Sequence, residues 1–286
     1  MFDCYIVGAQ KAGTSSLHNW LSQHPSICSP VLLKDCGYYS SEKVYNEFPS
    51  LLNQLTSKCK DDKLILGAEA SASFNKYGFN RLIQDNKNVK IIYIVRNPIK
   101  RALSAYHYAV ERGLELRSFD LAIKDELTGY SYDEDMSLEM DYILHSSYKL
   151  EISRIQSKVK KNNLLVIQFE EMILNSHRVM KEICNFLNIP MFDFNYSKIN
   201  QTRSGSRFMF LSQLLYGDKK LNKLRTVAKN IMPYSMRKKF RLWLLDINRS
   251  NKLKSLNAES FQTKYNNDIF KEDILFLKNR FSIDYE

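Results

Sequence analysis

The run Val89 to Val95 (VKIIYIV) constrains this chain most. It is β-branched and apolar, without the alternation that lets one face of a strand meet water. Such a run belongs to a strand buried on both faces, which is the habit of parallel sheets covered by helices. Three other segments read as strands: Phe2 to Val7, Leu64 to Ala68, and Leu164 to Phe169 (LLVIQF). Helical periodicity lies between them. Thr14 to Gln23 carries Leu17, Trp20 and Leu21 on one face and ends at His24-Pro25, and Pro98 opens a helix through Leu103 and Tyr106. A further helix is expected from about Ser176 to Leu187, and a last amphipathic one from Ala258 to Phe281. Strands alternating with helices predict an α/β fold with a parallel sheet flanked by helices, whose ligands bind at the carboxyl ends of the strands. With no repeat and no linker-like stretch, residues 1–286 read as a single domain, with a basic helical insert at about 205–255.

Charge narrows the partners. Lys and Arg number 42 against 31 Asp and Glu, a formal charge of +11. That excess suits nucleotides, nucleic acid, acidic glycans or anionic lipid, without choosing among them. The five cysteines, Cys4, Cys28, Cys36, Cys59 and Cys184, show no metal-ligand spacing and are odd in number. They read as small apolar residues of a reduced, cytosolic chain. The first residues carry no basic segment followed by a long apolar run, and no stretch approaches the roughly 20 apolar residues that span a bilayer. The expected location is the cytoplasm.

Between the first strand and the first helix stands Gly8-Ala9-Gln10-Lys11-Ala12-Gly13-Thr14-Ser15-Ser16. This composition makes a phosphate cradle. Glycines let the backbone come close, N–H groups at the helix start face the anion, and Lys11 adds charge. The spacing is not that of a nucleoside triphosphatase loop, G-x-x-x-x-G-K-[ST]: the residue before Thr14 is Gly13, and Lys11 precedes that glycine by two. The buried strand also ends in Arg96, where such enzymes carry a Mg²⁺-binding aspartate. The loop reads as a site for a phosphate-bearing nucleotide without a metal. A second anion site follows that strand, in Arg96-Asn97-Pro98-Ile99-Lys100-Arg101-Ala102-Leu103-Ser104-Ala105-Tyr106. Arg96 can grip a phosphate in bidentate fashion, and Ser104, two helical turns on, adds a hydroxyl. Two anion loops in one α/β domain point to a doubly phosphorylated nucleotide.

These two segments, in this order, resemble the motifs of sulfotransferases that use 3′-phosphoadenosine 5′-phosphosulfate (PAPS). The likeness is nearest to the glycan-modifying branch with the heparan sulfate and bacterial oligosaccharide enzymes. The family's 5′-phosphosulfate loop matches Gly8 to Ser16. Its 3′-phosphate motif, R-[DN]-P followed by R-x-x-S-x-Y, matches Arg96 to Tyr106. Weaker likenesses cover Ser147-Tyr148, Phe169-Glu170-Glu171-Met172 and Arg203-Ser204-Gly205-Ser206-Arg207. The resemblance implies a P-loop-like sulfotransferase fold and a metal-free transfer that releases 3′-phosphoadenosine 5′-phosphate (PAP). It implies that Gln10, Lys11, Ala12, Gly13, Thr14, Ser15 and Ser16 hold the 5′-phosphosulfate, with Lys11 steadying the leaving oxygen. Arg96 and Ser104 would hold the 3′-phosphate. Tyr148, Arg203, Ser204 and Arg207 would complete the nucleotide site.

On the acceptor side, Lys34-Asp35-Cys36-Gly37-Tyr38-Tyr39 resembles the family's K-E-x-x-[FY]-[FY] element, which puts Asp35 in the place of the general base. Aspartate is one methylene shorter than glutamate. Gly67-Ala68-Glu69-Ala70-Ser71-Ala72-Ser73-Phe74 resembles G-x-E-K-[ST]-P-x-Y, keeps the glutamate and lacks the lysine, and Glu69 is a second candidate base. His18 and His107 read as neutral bystanders. The implied acceptor is a hydroxyl or amine of a glycan or lipid-linked saccharide. Arg237, Lys238 and Arg241, beside Phe240, Trp243 and Leu244, suit peripheral contact with an anionic membrane or a grip on a charged glycan, against the plain reading of a packed helix that shows its charges to water. Two other readings compete. A P-loop kinase conflicts with the loop spacing. A basic nucleic-acid-binding module leaves the two anion loops without a role, so no nucleic acid is expected.

Overall fold

A computed structural model describes residues 2–29, 34–57, 59–60, 62–130, 140–196 and 267–285. Five strands form one parallel sheet: β1 (Cys4–Gly8), β2 (Ile27–Cys28), β3 (Leu64–Ala68), β4 (Lys90–Val95) and β5 (Leu164–Gln168), in the order β2-β3-β1-β4-β5. The expected α/β architecture is what the chain adopts. Ile91 to Val95 are all buried, as the apolar run requires. β1 lies between β3 and β4, so the connections that leave it and return beside it run to opposite sides. That is a topological switch point, where a crevice opens beyond the carboxyl ends of the strands. The loop from Gly8 leaves β1 at this place.

The chain divides into two compact units. Of the described residues, the first takes in those within 1–101, 144–200 and 267–286, and the second those within 102–143. The sheet belongs to the first. Its helices are α1 (Thr14–Leu21), α2 (Glu42–Glu47), α3 (Leu51–Thr56), α4 (Lys76–Asp85) and the first turn of α5 (Pro98–Glu111). α6 (Phe119–Leu127) lies in the second unit. The first unit resumes with α7 (Tyr148–Gln156), α8 (Phe169–Leu174), α9 (Ser176–Leu187) and α10 (Lys271–Phe281). Its core joins Trp20, Leu17 and Leu21 of α1 to the strands and to Val179, Met180, Ile183 and Leu187 of α9. These α9 positions recur at three and four residues, the spacing of one helical face. The second unit packs Tyr106, Phe119 and Tyr142 edge to face or tilted, with Tyr106 and Phe119 centroids 4.9 Å apart. There Glu115 accepts from Arg117 and from the Tyr142 hydroxyl at 3.1 Å.

Several boundaries differ from the sequence reading. The first strand is Cys4–Gly8, starting two residues and ending one residue later than Phe2–Val7, and Phe169 begins α8 instead of ending β5. The edge strand β2 is only Ile27–Cys28, too short to leave a pattern. Of the last expected helix, Lys271–Phe281 is helical and a 3₁₀ turn, Asn267–Phe270, precedes it. The stretch before Asn267 and the basic insert at 205–255 lie outside the described residues.

One expectation is corrected. The cysteines are not all free: Cys28 of β2 and Cys59, in the loop before β3, form a disulfide with Cα atoms 5.6 Å apart. Parallel pairing of Ile27 with Leu64 and Cys28 with Ile65 draws the two segments together, although 31 residues separate them in sequence. Cys4, Cys36 and Cys184 are free thiols.

Candidate active site

The loop after β1 is shaped for an anion by its backbone. The Ala9 N–H donates to the Ile94 carbonyl at 2.8 Å, and the Ala12 N–H to Ala9 at 3.1 Å. Lys11 (φ 68°) and Gly13 (φ 89°) are both left-handed. For lysine that conformation costs roughly 1–2 kcal/mol, and such strain persists where the surroundings enforce it. At Gly13 a Cβ would lie 2.7 Å from the Phe169 ring, so only glycine satisfies both the dihedral and the space. α1 starts at the next residue. Its first-turn N–H groups, those of Thr14 and Ser15, lack acceptors within the helix and carry its positive end toward the loop. Thr14 and Ser16 are buried, and Gln10, Lys11, Gly13 and Ser15 are half-buried.

Gly8 matters for what lies beside it. In register it sits opposite Tyr93, and a Cβ there would come 2.8 Å from both Tyr93 Cε2 and Ser73 Oγ. The loop therefore begins flush against two side chains that carry hydroxyls.

Arg96 stands at the end of β4 and reaches the same loop. Its Nη1 donates to the Lys11 carbonyl at 3.0 Å, and its guanidinium lies over the Phe169 ring, 4.9 Å from the centroid. Its buried Nε has no hydrogen-bond partner among the described residues. Burial lowers its pKa from the usual range, and Glu170 opposes the shift. The Arg96 main chain is held by Tyr148: the hydroxyl accepts from the Arg96 N–H at 3.2 Å and donates to its carbonyl at 2.8 Å. The next N–H, of Asn97, donates to Glu170 at 3.0 Å. A buried guanidinium N–H without an acceptor among the described residues, beside a helix start and a strained lysine, fits a group carrying separated anionic charges.

Of the remaining candidates, Tyr148 and Ser104 lie among the described residues. Tyr148 is fully buried in α7, and its hydroxyl is engaged by Arg96. Ser104 is buried in α5, within the second unit. Arg203, Ser204 and Arg207 lie outside the described residues. Phe169 was legible only as part of a weak likeness, yet it closes over Gly13 and stacks on Arg96. An aromatic directly after a strand that ends beside an anion loop was the available signal.

Asp35 and Glu69 both stand at the carboxyl end of β3. Lys34 pairs with Ala68 as an isolated parallel bridge, and the Asp35 N–H donates to the Ala68 carbonyl at 2.7 Å. The Asp35 carboxylate accepts the Ala70 N–H at 3.1 Å on Oδ1 and pairs with Lys34 through Oδ2. Its side chain remains 49% exposed. Glu69 is 1% exposed. Its Oε1 accepts the Ser40 N–H at 3.1 Å, while Oε2 is buried without a partner among the described residues. Burial raises its pKa, the Ser40 contact opposes that, and the charge of Asp35 adds to the rise. His18 is held as a neutral residue: Ser29 Oγ gives its proton to the Leu66 carbonyl at 3.1 Å, so His18 Nε2 is the donor to Ser29 at 2.7 Å. Burial lowers the His18 pKa to about 4, so it is uncharged near neutrality. His107 is also lowered by burial.

The sulfotransferase domain family matches residues 2–244, and the chain belongs to that family. Proteins of the family use PAPS as sulfuryl donor. The membrane-associated sulfotransferase kil1 of Dictyostelium discoideum is 28% identical over 171 residues, covering 55% of this chain and 33% of that protein. The bifunctional heparan sulfate N-deacetylase/N-sulfotransferase 2 of Bos taurus is 24% identical over 207 residues, covering 68% of this chain and 22% of its own length. The chain thus spans a third or less of these curated relatives. A sulfotransferase structure from Alicyclobacillus acidocaldarius shares the fold, with a TM-score of 0.59 at 23% identity, covering 87% of this chain and 97% of that one.

Proposed function

We propose that the protein transfers the sulfuryl group of PAPS to a hydroxyl or amine of a glycan or glycolipid and releases PAP. The observation that carries the reading is the bond from Arg96 to the Lys11 carbonyl, which ties the two anion motifs into one site at the switch point of the sheet. PAPS supplies a sulfur bonded through oxygen to a phosphate that leaves with the electron pair of that bond. Lys11 and the N–H groups of Thr14 and Ser15 face the charge that builds on the leaving oxygen. Arg96 supplies the counter-charge for a phosphate and stiffens the loop.

The acceptor must lose a proton as its oxygen or nitrogen bonds to sulfur. Asp35 takes it: the carboxylate is accessible at the carboxyl end of β3, beside Lys34. Glu69 instead holds the acceptor loop through the Ser40 N–H. The saccharide class rests on the acceptor element of the sequence and on a relative named for heparan sulfate. A membrane-associated relative favours a lipid-linked acceptor met at the membrane surface. No described helix is long and apolar enough to cross a bilayer. The test is mass spectrometry of glycan and glycolipid pools incubated with the protein and isotopically labelled PAPS. Label in saccharide supports the proposal, and label confined to protein tyrosine or to no product overturns the acceptor class.

A further inference from the structure

Glu151 is a buried carboxylate that neither the donor loop nor the acceptor side uses directly. It is 5% exposed, on α7, three residues after Tyr148 and so on the same helical face. Its Oε2 accepts two hydroxyls, Tyr93 at 2.6 Å and Ser73 at 3.0 Å. These are the two side chains against which Gly8 begins the phosphosulfate loop. Ser73 is also fastened to the end of β1, since its N–H donates to the Val7 carbonyl at 3.1 Å. The Tyr93 ring in turn meets Tyr148 edge to face, with centroids 6.3 Å apart, and Tyr148 grips the main chain of Arg96 on both sides. One face of α7 therefore holds the origins of both anion motifs, through Glu151 for β1 and through Tyr148 for β4.

A carboxylate is a costly way to fill a core position. An apolar residue of like volume is often as stable or more so, while a buried polar group can fix one arrangement among several. The arrangement fixed here is that of the Tyr93 ring. With Cε2 flush against Gly8, a ring shift of a few tenths of an ångström displaces the first residues of the loop.

We propose that Glu151 is a positioning residue for the donor nucleotide, setting the Gly8 end of the loop by fixing the Tyr93 and Ser73 hydroxyls. This rests on the PAPS reading of the site. PAP binding by the unaltered protein tests that reading first, and its absence would overturn both.

The variants are Glu151→Leu, Glu151→Gln and Tyr93→Phe, each checked by circular dichroism and thermal melting. Calorimetry with PAP and steady-state kinetics in both substrates follow. Glutamine keeps an oxygen that can accept both hydroxyls, so PAP affinity should stay within about twofold of the parent. Leucine leaves both hydroxyls unpaired. It should raise the PAP Kd and the KM for PAPS about tenfold, as expected for buried donors left without acceptors, with the acceptor KM unchanged. Tyr93→Phe should raise the PAP Kd about threefold. A folded Glu151→Leu protein with parental PAP Kd overturns the proposal, as does equal loss in the Gln and Leu variants or an equal rise in both KM values. Should Glu151→Leu not fold, Tyr93→Phe decides: parental PAP affinity there overturns the proposal, and the threefold loss supports it.

Discussion

Lys11 and Arg96 hold opposite ends of one hydrogen bond and should nevertheless fail differently when removed. In the proposed reaction the Lys11 side chain meets charge that grows only as the bridging oxygen leaves, so Lys11→Ala should depress turnover more than PAP affinity. Arg96→Ala removes a charged partner of the ground state and the brace on the loop. It should cost about 1.5–3 kcal/mol of PAP binding. Calorimetry beside steady-state rates separates the two, and equal losses of PAP affinity with no excess loss of turnover would deny Lys11 its role. Asp35→Asn should leave PAP affinity intact and lower transfer about 10²–10⁴-fold, the usual worth of a general base. Glu69→Gln keeps an oxygen for the Ser40 N–H and should be milder in rate. Glu69 has a stability signature instead. Its pKa in the folded chain is raised above the ordinary 4.5, so the folded state holds the proton more tightly than the unfolded state. Stability should fall as pH rises from 4.5 through that raised value, and Glu69→Gln should flatten this fall in a series of thermal melts. An unchanged slope would show that Glu69 does not titrate in this way.

At the scale of elements, the site depends on where β1 stops and α1 starts. Gly13→Ala meets both a left-handed dihedral and the Phe169 ring. It should lower the melting temperature and weaken PAP binding, and a parental melt with parental affinity would show that the junction tolerates a side chain. The strand-loop-helix unit from Cys4 to Leu21 was legible because each part leaves a local mark: an apolar strand, a glycine at the turn, hydroxyls at the helix start. β4 was legible from its unbroken burial. β2 was not, because two residues on an edge carry no periodicity. The short α2 and α3, with no fully buried residues, left equally little pattern. The contribution of α7 was hidden for another reason. Tyr148 drew attention through a motif, whereas nothing in the sequence marks Glu151, and only the fold brings Tyr93 and Ser73 to it.

For the molecule as a whole, fold class and donor chemistry were legible, and the covalent framework was not. Parallel pairing joins Cys28 to Cys59 across 31 residues, a closeness that spacing could not reveal. Disulfides persist in oxidising compartments, so this bridge stands against the expectation of a reduced cytosolic chain. Intact-mass analysis after denaturing alkylation without reductant should add three labels, on Cys4, Cys36 and Cys184, and five would show that the bridge is absent. On the proposed reading the two anion motifs make one metal-free site for the donor nucleotide. Titration calorimetry of the protein with PAP in excess chelator, repeated with ATP as competitor, decides it. Saturable PAP binding without metal, displaced only weakly by ATP, is expected; binding that requires Mg²⁺, or equal competition by ATP, would refute the reading.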